Sequence, residues 1–166
     1  MKNNKNNMVI KERIIISQAN INDFERILDV QKKAFTTEAE IYNNFNIEPL
    51  TQTISDLVEE CKEKIVLKAT FDNKIIGTIR ANKCEEGCWI NKLAVLPEYR
   101  GLGIGINLLN NIEVYFPETK KFILGTGAKS TFTIKLYEKI GFRIIKEIST
   151  PEDINMVIME KTIEKN

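Results

Sequence analysis

The apolar positions of the chain alternate between two periods. Residues 14–16, Ile-Ile-Ile, form a short run suited to a first strand. Asn20 to Asp23 supply helix-start chemistry, and Phe24, Ile27, Leu28, Gln31, Ala34 and Phe35 then fall on one side at helical spacing. A helix is predicted to about Phe35. Residues 36–50 show no clear period and read as an irregular connection, and at about 15 residues such connections are often functional. Thr53 followed by Asp56 resembles a capping box with Asp in place of Glu or Gln. Ile54, Leu57, Val58 and Cys61 continue as a second amphipathic helix.

Residues 65–71 alternate Ile65, Leu67, Ala69 and Phe71 against Val66, Lys68 and Thr70, which is strand spacing. Two further strands follow at 75–83 and 88–96, separated by short turns, so the three should form an antiparallel meander. Gly101, Gly103 and Gly105 come next. They lead into a helix bearing Ile104, Leu108, Leu109 and Ile112 that ends near Pro117. Phe122-Ile123-Leu124 reads as a buried strand. Ser130 can cap a fourth helix carrying Ile134, Leu136, Tyr137 and Ile140, with Gly141 as its C′ glycine. Residues 142–148 and 156–159 read as closing strands. The order β-α-α-β-β-β-α-β-α-β-β predicts an α/β (α+β) architecture, a mixed sheet with helices on its faces. One domain is expected over 14–166, behind a polar, frayed tail at 1–13.

Composition narrows the chemistry. The chain has 166 residues, 43% hydrophobic and 28% charged, with a net charge of +1. That balance gives no pull toward nucleic acid or anionic membrane. No apolar run approaches the ~20 residues of a membrane span, and the opening MKNNKNNM is no secretory signal, so a cytoplasmic protein is expected. Histidine is absent, which removes the usual triads and the commonest general base. Cys84 and Cys88 are placed to face each other across a hairpin. With Cys61 they cannot complete a closed zinc site without a carboxylate. All three are read as reduced thiols, and no metal is expected.

The glycine loop at the head of a helix would aim backbone N–H groups at one point, at the positive end of the helix dipole, and so cradle a phosphate. A P-loop needs Gly-Lys-Ser/Thr, where this chain has Gly105-Ile106-Asn107. A dinucleotide fingerprint needs Gly or Ala at Ile106 and fails there too. Arg100-Gly101-Leu102-Gly103-Ile104-Gly105 instead resembles the Q/R-x-x-G-x-G/A loop of the GNAT acyltransferase superfamily. Leu93-Ala94-Val95 and Pro97-Glu98-Tyr99 before it, and Leu108-Leu109 after it, resemble the same family. Downstream, residues 130–142, STFTIKLYEKIGF, are similar to the family's N-x-x-A-x-x-L-Y-x-x-x-G-F segment, with Ser130 and Thr133 in place of Asn and Ala. The resemblance covers about residues 14–159 and includes uncharacterised bacterial members.

The resemblance implies a GNAT fold with about six to seven mostly antiparallel strands, helices on both faces and splayed central strands. It implies acetyl-coenzyme A as co-substrate. The backbone of residues 100–105 (Arg100, Gly101, Leu102, Gly103, Ile104, Gly105) would hold the pyrophosphate, with the Arg100 side chain near it. The backbone of Leu93, Ala94 and Val95 would pair with pantetheine, beyond a bulge in the strand. Ser130 would cap its helix and hydrogen-bond the cofactor, and Tyr137 would be the general acid. Many members carry a Glu on the strand before the loop, where this chain has Trp89, Ile90, Asn91 and Lys92. Lys92 is equally a solvent-facing strand residue. The base is then either reached through ordered water or a carboxylate of the 36–50 connection, Glu38 or Glu40, whose other reading is as solvated loop charges. Glu38, Tyr42, Gln52, Thr53 and Arg80 are candidate acceptor-site residues, and solvent exposure or a structural ion pair are the other readings of Arg80. The expected reaction is direct attack of a primary amine, on a small molecule or peptide, in a ternary complex. A non-catalytic acyl-CoA-binding or sensing module is the rival, and a homodimer is left open.

Overall fold

The structure is a computed structural model and describes residues 2–164. Seven strands form one sheet: β1 (Ile15–Gln18), β2 (Ile65–Phe71), β3 (Lys74–Cys84), β4 (Gly87–Val95), β5 (Lys121–Gly127), β6 (Arg143–Ser149) and β7 (Asn155–Thr162). Six α-helices accompany them among the described residues: α1 (Lys2–Glu12), α2 (Phe24–Tyr42), α3 (Glu48–Thr51), α4 (Ile54–Glu60), α5 (Ile104–Val114) and α6 (Thr131–Lys139). The strand order is β1-β2-β3-β4-β5-β7-β6. Every pairing is antiparallel except β4 with β5. The predicted mixed sheet and its central meander are therefore present.

Helices cover both faces. Gly77 of β3 lies under Ile104 and Leu108 of α5. Arg80, three residues on and so on the opposite face, reaches α2 and α4. Ile27, Leu57, Leu67, Ile79, Leu108, Ile112 and Phe122 are fully buried between these layers. The Thr53–Asp56 capping box forms as predicted, each side chain bonding the other's backbone N–H.

Two boundaries and one cysteine pairing differ from the sequence reading. Residues 2–12 are helical rather than frayed, although residues 4–12 are almost wholly exposed. Met8, Val9 and Ile10 are consecutive and define no face, so the pattern gave no signal. Helix α2 runs on to Tyr42, where Asn43 ends it in the left-handed region at φ 47°. Much of the expected irregular connection is thus helix. Its apolar period fades because the Thr36 hydroxyl turns back to the Lys32 carbonyl of the same helix, while Thr37 and Glu38 bond Arg100 and Ser130 of other loops. Finally, Cys84 pairs with Gly87 and Cys88 with Lys83, so the two cysteines lie on opposite faces of the hairpin. All three cysteines are free thiols, and burial pushes the Cys88 thiol up to about 12.

At one edge, every residue of β6 is exposed, Ile144, Ile145 and Ile148 included.

Candidate active site

The sheet opens between β4 and β5. Their parallel pairing is confined to Cys88–Ile90 against Phe122–Leu124. Beyond it β4 stays with β3 as far as Val95 opposite Gly77, while β5 stays with β7 as far as Gly127 opposite Met156. A bulge helps turn β4 aside: Lys92, at φ 53°, and Leu93 together oppose Ile79. Leu96 N–H bonds the Ile76 carbonyl, so in the alternating antiparallel ladder Ala94 also faces β3. The polar backbone groups of Leu93 and Val95 are then turned toward the gap.

The glycine loop sits at the end of β4. Gly101 and Gly103 adopt φ 78° and 79°, and a Cβ on either would meet nothing within 4 Å. These glycines therefore serve the backbone path and leave open space over it. Gly103 is the N-cap of α5 and offers no capping side chain. The first helical bond is Asn107 N–H to Gly103 C=O, so the N–H groups of Ile104, Gly105 and Ile106 have no intrahelical acceptor. Such a loop can seat an anion.

The Arg100 side chain does not reach over this cradle. Its Nη1 donates to Thr37 Oγ1 and its Nη2 to the Ala34 carbonyl, both at 2.9 Å, which commits it to α2.

On the β5 side, Ser130 is buried and makes no capping bond with its side chain. Its backbone carbonyl still starts α6, but the hydroxyl turns across to donate to Glu38 Oε2 at 2.5 Å. One helical turn further, the Tyr42 hydroxyl accepts Lys129 N–H at 2.8 Å, and Lys129 Nζ lies 5.7 Å from the Tyr42 ring centre. Tyr137 is buried beside Phe142, with ring centres 5.9 Å apart. Burial first, and then the Glu38 carboxylate, raise its phenol above the ordinary tyrosine value. The phenol is protonated at neutral pH and able to give a proton to a strong base. Glu38, Tyr42, Ser130 and Tyr137 thus meet at one end of the opened strands.

Five residues weighed from the sequence lie elsewhere. Glu40 is exposed, because two residues along a helix is more than half a turn from Glu38. Arg80 is fully buried. It donates to Glu60 through Nε and Nη2 at 3.0 and 2.9 Å, to Gln31 at 2.9 Å and to Gln52 at 3.2 Å. Gln52 is spent on the same cluster, donating to Glu60 at 2.6 Å. Burial acts to raise the Glu60 carboxyl, but the bonds from Arg80, Lys64 and Gln52 outweigh it and hold the group at about 2. Arg80 is a structural ion pair, and neither it nor Gln52 is free for an acceptor. Lys92 is not a solvent-facing residue: its side chain is 14% exposed and pairs with Glu48 at 2.5 Å. Thr53 is occupied by its capping box.

Glu48, Glu60 and Lys129 escaped the sequence reading. Gln31, a polar residue on the apolar stripe of α2, was the available sign that a buried polar partner exists. Among the described residues no group of ligating side chains could hold a metal ion. No helix of these residues is long and apolar enough to cross a membrane.

The sequence profile of the acetyltransferase (GNAT) family matches residues 24–142, a span that contains both the glycine loop and Tyr137. The chain belongs to the acetyltransferase (GNAT) family. As a GNAT acetyltransferase it shares its fold with many solved structures. The ribosomal-protein-S18-alanine N-acetyltransferase of Escherichia coli is 16% identical, with a TM-score of 0.74 over 92% of this chain and 96% of that one. The PaiA N-acetyltransferase of Thermoplasma acidophilum, in complex with coenzyme A, is 21% identical, with a TM-score of 0.72 over 90% and 99%. The yncA protein of Salmonella typhimurium, solved with its cofactor acetyl-CoA, is 13% identical, with a TM-score of 0.72 over 93% and 96%. No curated protein matches the sequence. The seven-stranded sheet and the parting of β4 from β5 agree with the GNAT fold expected from the sequence.

Proposed function

We propose that this acetyltransferase carries an acetyl group from acetyl-CoA to a primary amine of a small molecule or peptide, by direct attack in a ternary complex. The observation that carries the reading is the gap between β4 and β5, with an anion-seating loop at one jaw and Tyr137 and Glu38 at the other. Coenzyme A bound to the Thermoplasma neighbour, and acetyl-CoA to the Salmonella one, support the choice of co-substrate.

Each part of the chain then has a task. The amides of residues 101–105 hold the pyrophosphate. The backbone of Leu93 and Val95 pairs with pantetheine, and the Val95 amide faces the thioester oxygen as negative charge gathers on it, an interaction typically worth about 3 kcal/mol. The amine lone pair attacks the carbonyl carbon, and the C–S bond breaks as the tetrahedral species collapses. Tyr137 gives its proton to the departing thiolate. Glu38, held by Ser130, takes the proton that the amine sheds. Tyr42 and Lys129 form the wall beside it. A nucleophilic cysteine plays no part: Cys61 and Cys88 are buried, and burial raises both thiols, while Cys84 sits at the β3–β4 hairpin, at the end of β4 away from the gap.

Calorimetry with acetyl-CoA tests the first half. A folded sample that fails to bind at high micromolar concentration would sink it. Release of free thiol from acetyl-CoA in the presence of an amine panel tests the second half. Binding without amine-dependent release would leave a cofactor-binding module.

A further inference from the structure

We infer that Arg100 is a positioning residue: it ties the cofactor loop to α2 and so transmits occupancy of that loop to the wall of the acceptor site. The inference rests on the cofactor reading above. Arg100 is the residue from which the glycine loop departs, and its side chain is exposed and free to point into solvent. Instead it spans 63 and 66 residues of sequence to Thr37 and Ala34. Both of its bonds are charge-assisted, and two of them on one planar guanidinium fix orientation as well as distance.

The place of attachment gives the bonds their meaning. Ala34, Glu38 and Tyr42 are spaced four apart and form one row along α2. Arg100 holds the first from the loop after β4. Ser130 and Lys129 hold the second and third from the turn after β5. A single helix thus bridges both jaws of the opened sheet, and the same helix carries the Glu38 carboxylate. An anion settling on the loop amides fixes the loop, and through Arg100 it fixes the helix. By linkage, an acceptor that steadies α2 must also favour the cofactor, and by the same factor. A guanidinium committed to α2 adds little to phosphate affinity.

Hydrogen–deuterium exchange of the full chain, with and without saturating acetyl-CoA, reads this coupling. In the wild type, acetyl-CoA should slow exchange at amides 36–43 by at least about fivefold, the low end of typical site-to-site coupling. Arg100→Ala should lose that protection while calorimetry returns an acetyl-CoA Kd within about threefold of wild type. Thr37→Val removes one of the two bonds and should keep part of the protection; it supplies the same reading should Arg100→Ala fail to fold. Equal protection in wild type and Arg100→Ala, or a Kd weakened more than about threefold, overturns the inference. A wild type that binds no acetyl-CoA overturns the cofactor reading instead. In that case unchanged exchange at 36–43 in ligand-free Arg100→Ala overturns the tether, and faster exchange upholds it.

Discussion

Replacing Tyr137 by phenylalanine deletes one oxygen and leaves the ring that packs on Phe142. If the phenol protonates the leaving thiolate, Tyr137→Phe should lower kcat by about a hundredfold or more and leave acetyl-CoA affinity unchanged. Steady-state kinetics beside calorimetry separates the two effects, and an unchanged kcat would return the residue to the core. Glu60 makes a second residue-scale prediction. Its carboxyl is held at about 2 against an ordinary 4.5, so the folded protein favours the ionised form. The resulting stability, up to about 3 kcal/mol, is complete above the ordinary value and is lost as the pH falls from there toward the lowered one. Denaturation of wild type and Glu60→Gln from pH 6 down to about 2 should show a steeper loss of stability in the wild type, the slope that remains in the variant coming from other carboxylates such as Asp23 and Asp56. The variant, leaving Arg80 buried without its counter-charge, should be about 3 kcal/mol less stable at neutral pH. At this scale the sequence is legible where chemistry sits in one short stretch. The glycine turn that opens α5 and the helix that carries Tyr137 were readable because each has a distinctive local context. Arg80, Gln52 and Arg100 were misplaced because most of their partners lie 20 to 66 residues away, and side-chain type alone does not choose among distant partners.

Elements meet where β5 turns into α6. Gly127 sits against the Tyr42 ring and Ser130 Oγ, which would lie 2.8 Å from an added Cβ. Gly103, by contrast, has a positive φ and empty surroundings. The two alanine variants should therefore fail differently. Gly103→Ala carries backbone strain of roughly 1–2 kcal/mol with no clash. Gly127→Ala must push α2 off the turn, at about 1–3 kcal/mol, and should also lower turnover because Glu38 moves with the helix. Thermal melts beside thiol-release assays distinguish the two patterns. Helix and strand identities in this region were legible from period and caps: the meander, α4 with its box and α6 with Gly141 all follow from local rules. The length of α2 was not. Its last two turns fully bury one small apolar residue, Ala39, and are otherwise held by Arg100, Ser130 and Lys129, so they leave no hydrophobic period to read.

At the scale of the whole molecule, the sheet is one piece held across its middle by three parallel residue pairs. A ligand filling the gap binds only the folded form. Acetyl-CoA at a hundred times its Kd should add about 2.7 kcal/mol of stability. For a chain of this size that is a rise in Tm of roughly 5–11 °C, measurable by calorimetry. The order of elements was legible because short turns fix neighbours, whereas the parting of β4 from β5 depends on a bulge at Lys92 that no alternation of apolar residues announces. The outer strand β6 has a consequence of its own for how molecules meet. Its rim carries three isoleucines and free hydrogen-bonding groups, the makings of an adhesive margin. Two identical margins meeting antiparallel about a twofold must set some residue against itself. Centred on Lys146 that meeting opposes ammonium to ammonium, and centred on Glu147 it opposes carboxylate to carboxylate. Centred on Ile145 it sets isoleucine against isoleucine and Arg143 against Glu147, so like charge disfavours two of the three central registers and leaves the third free of that repulsion.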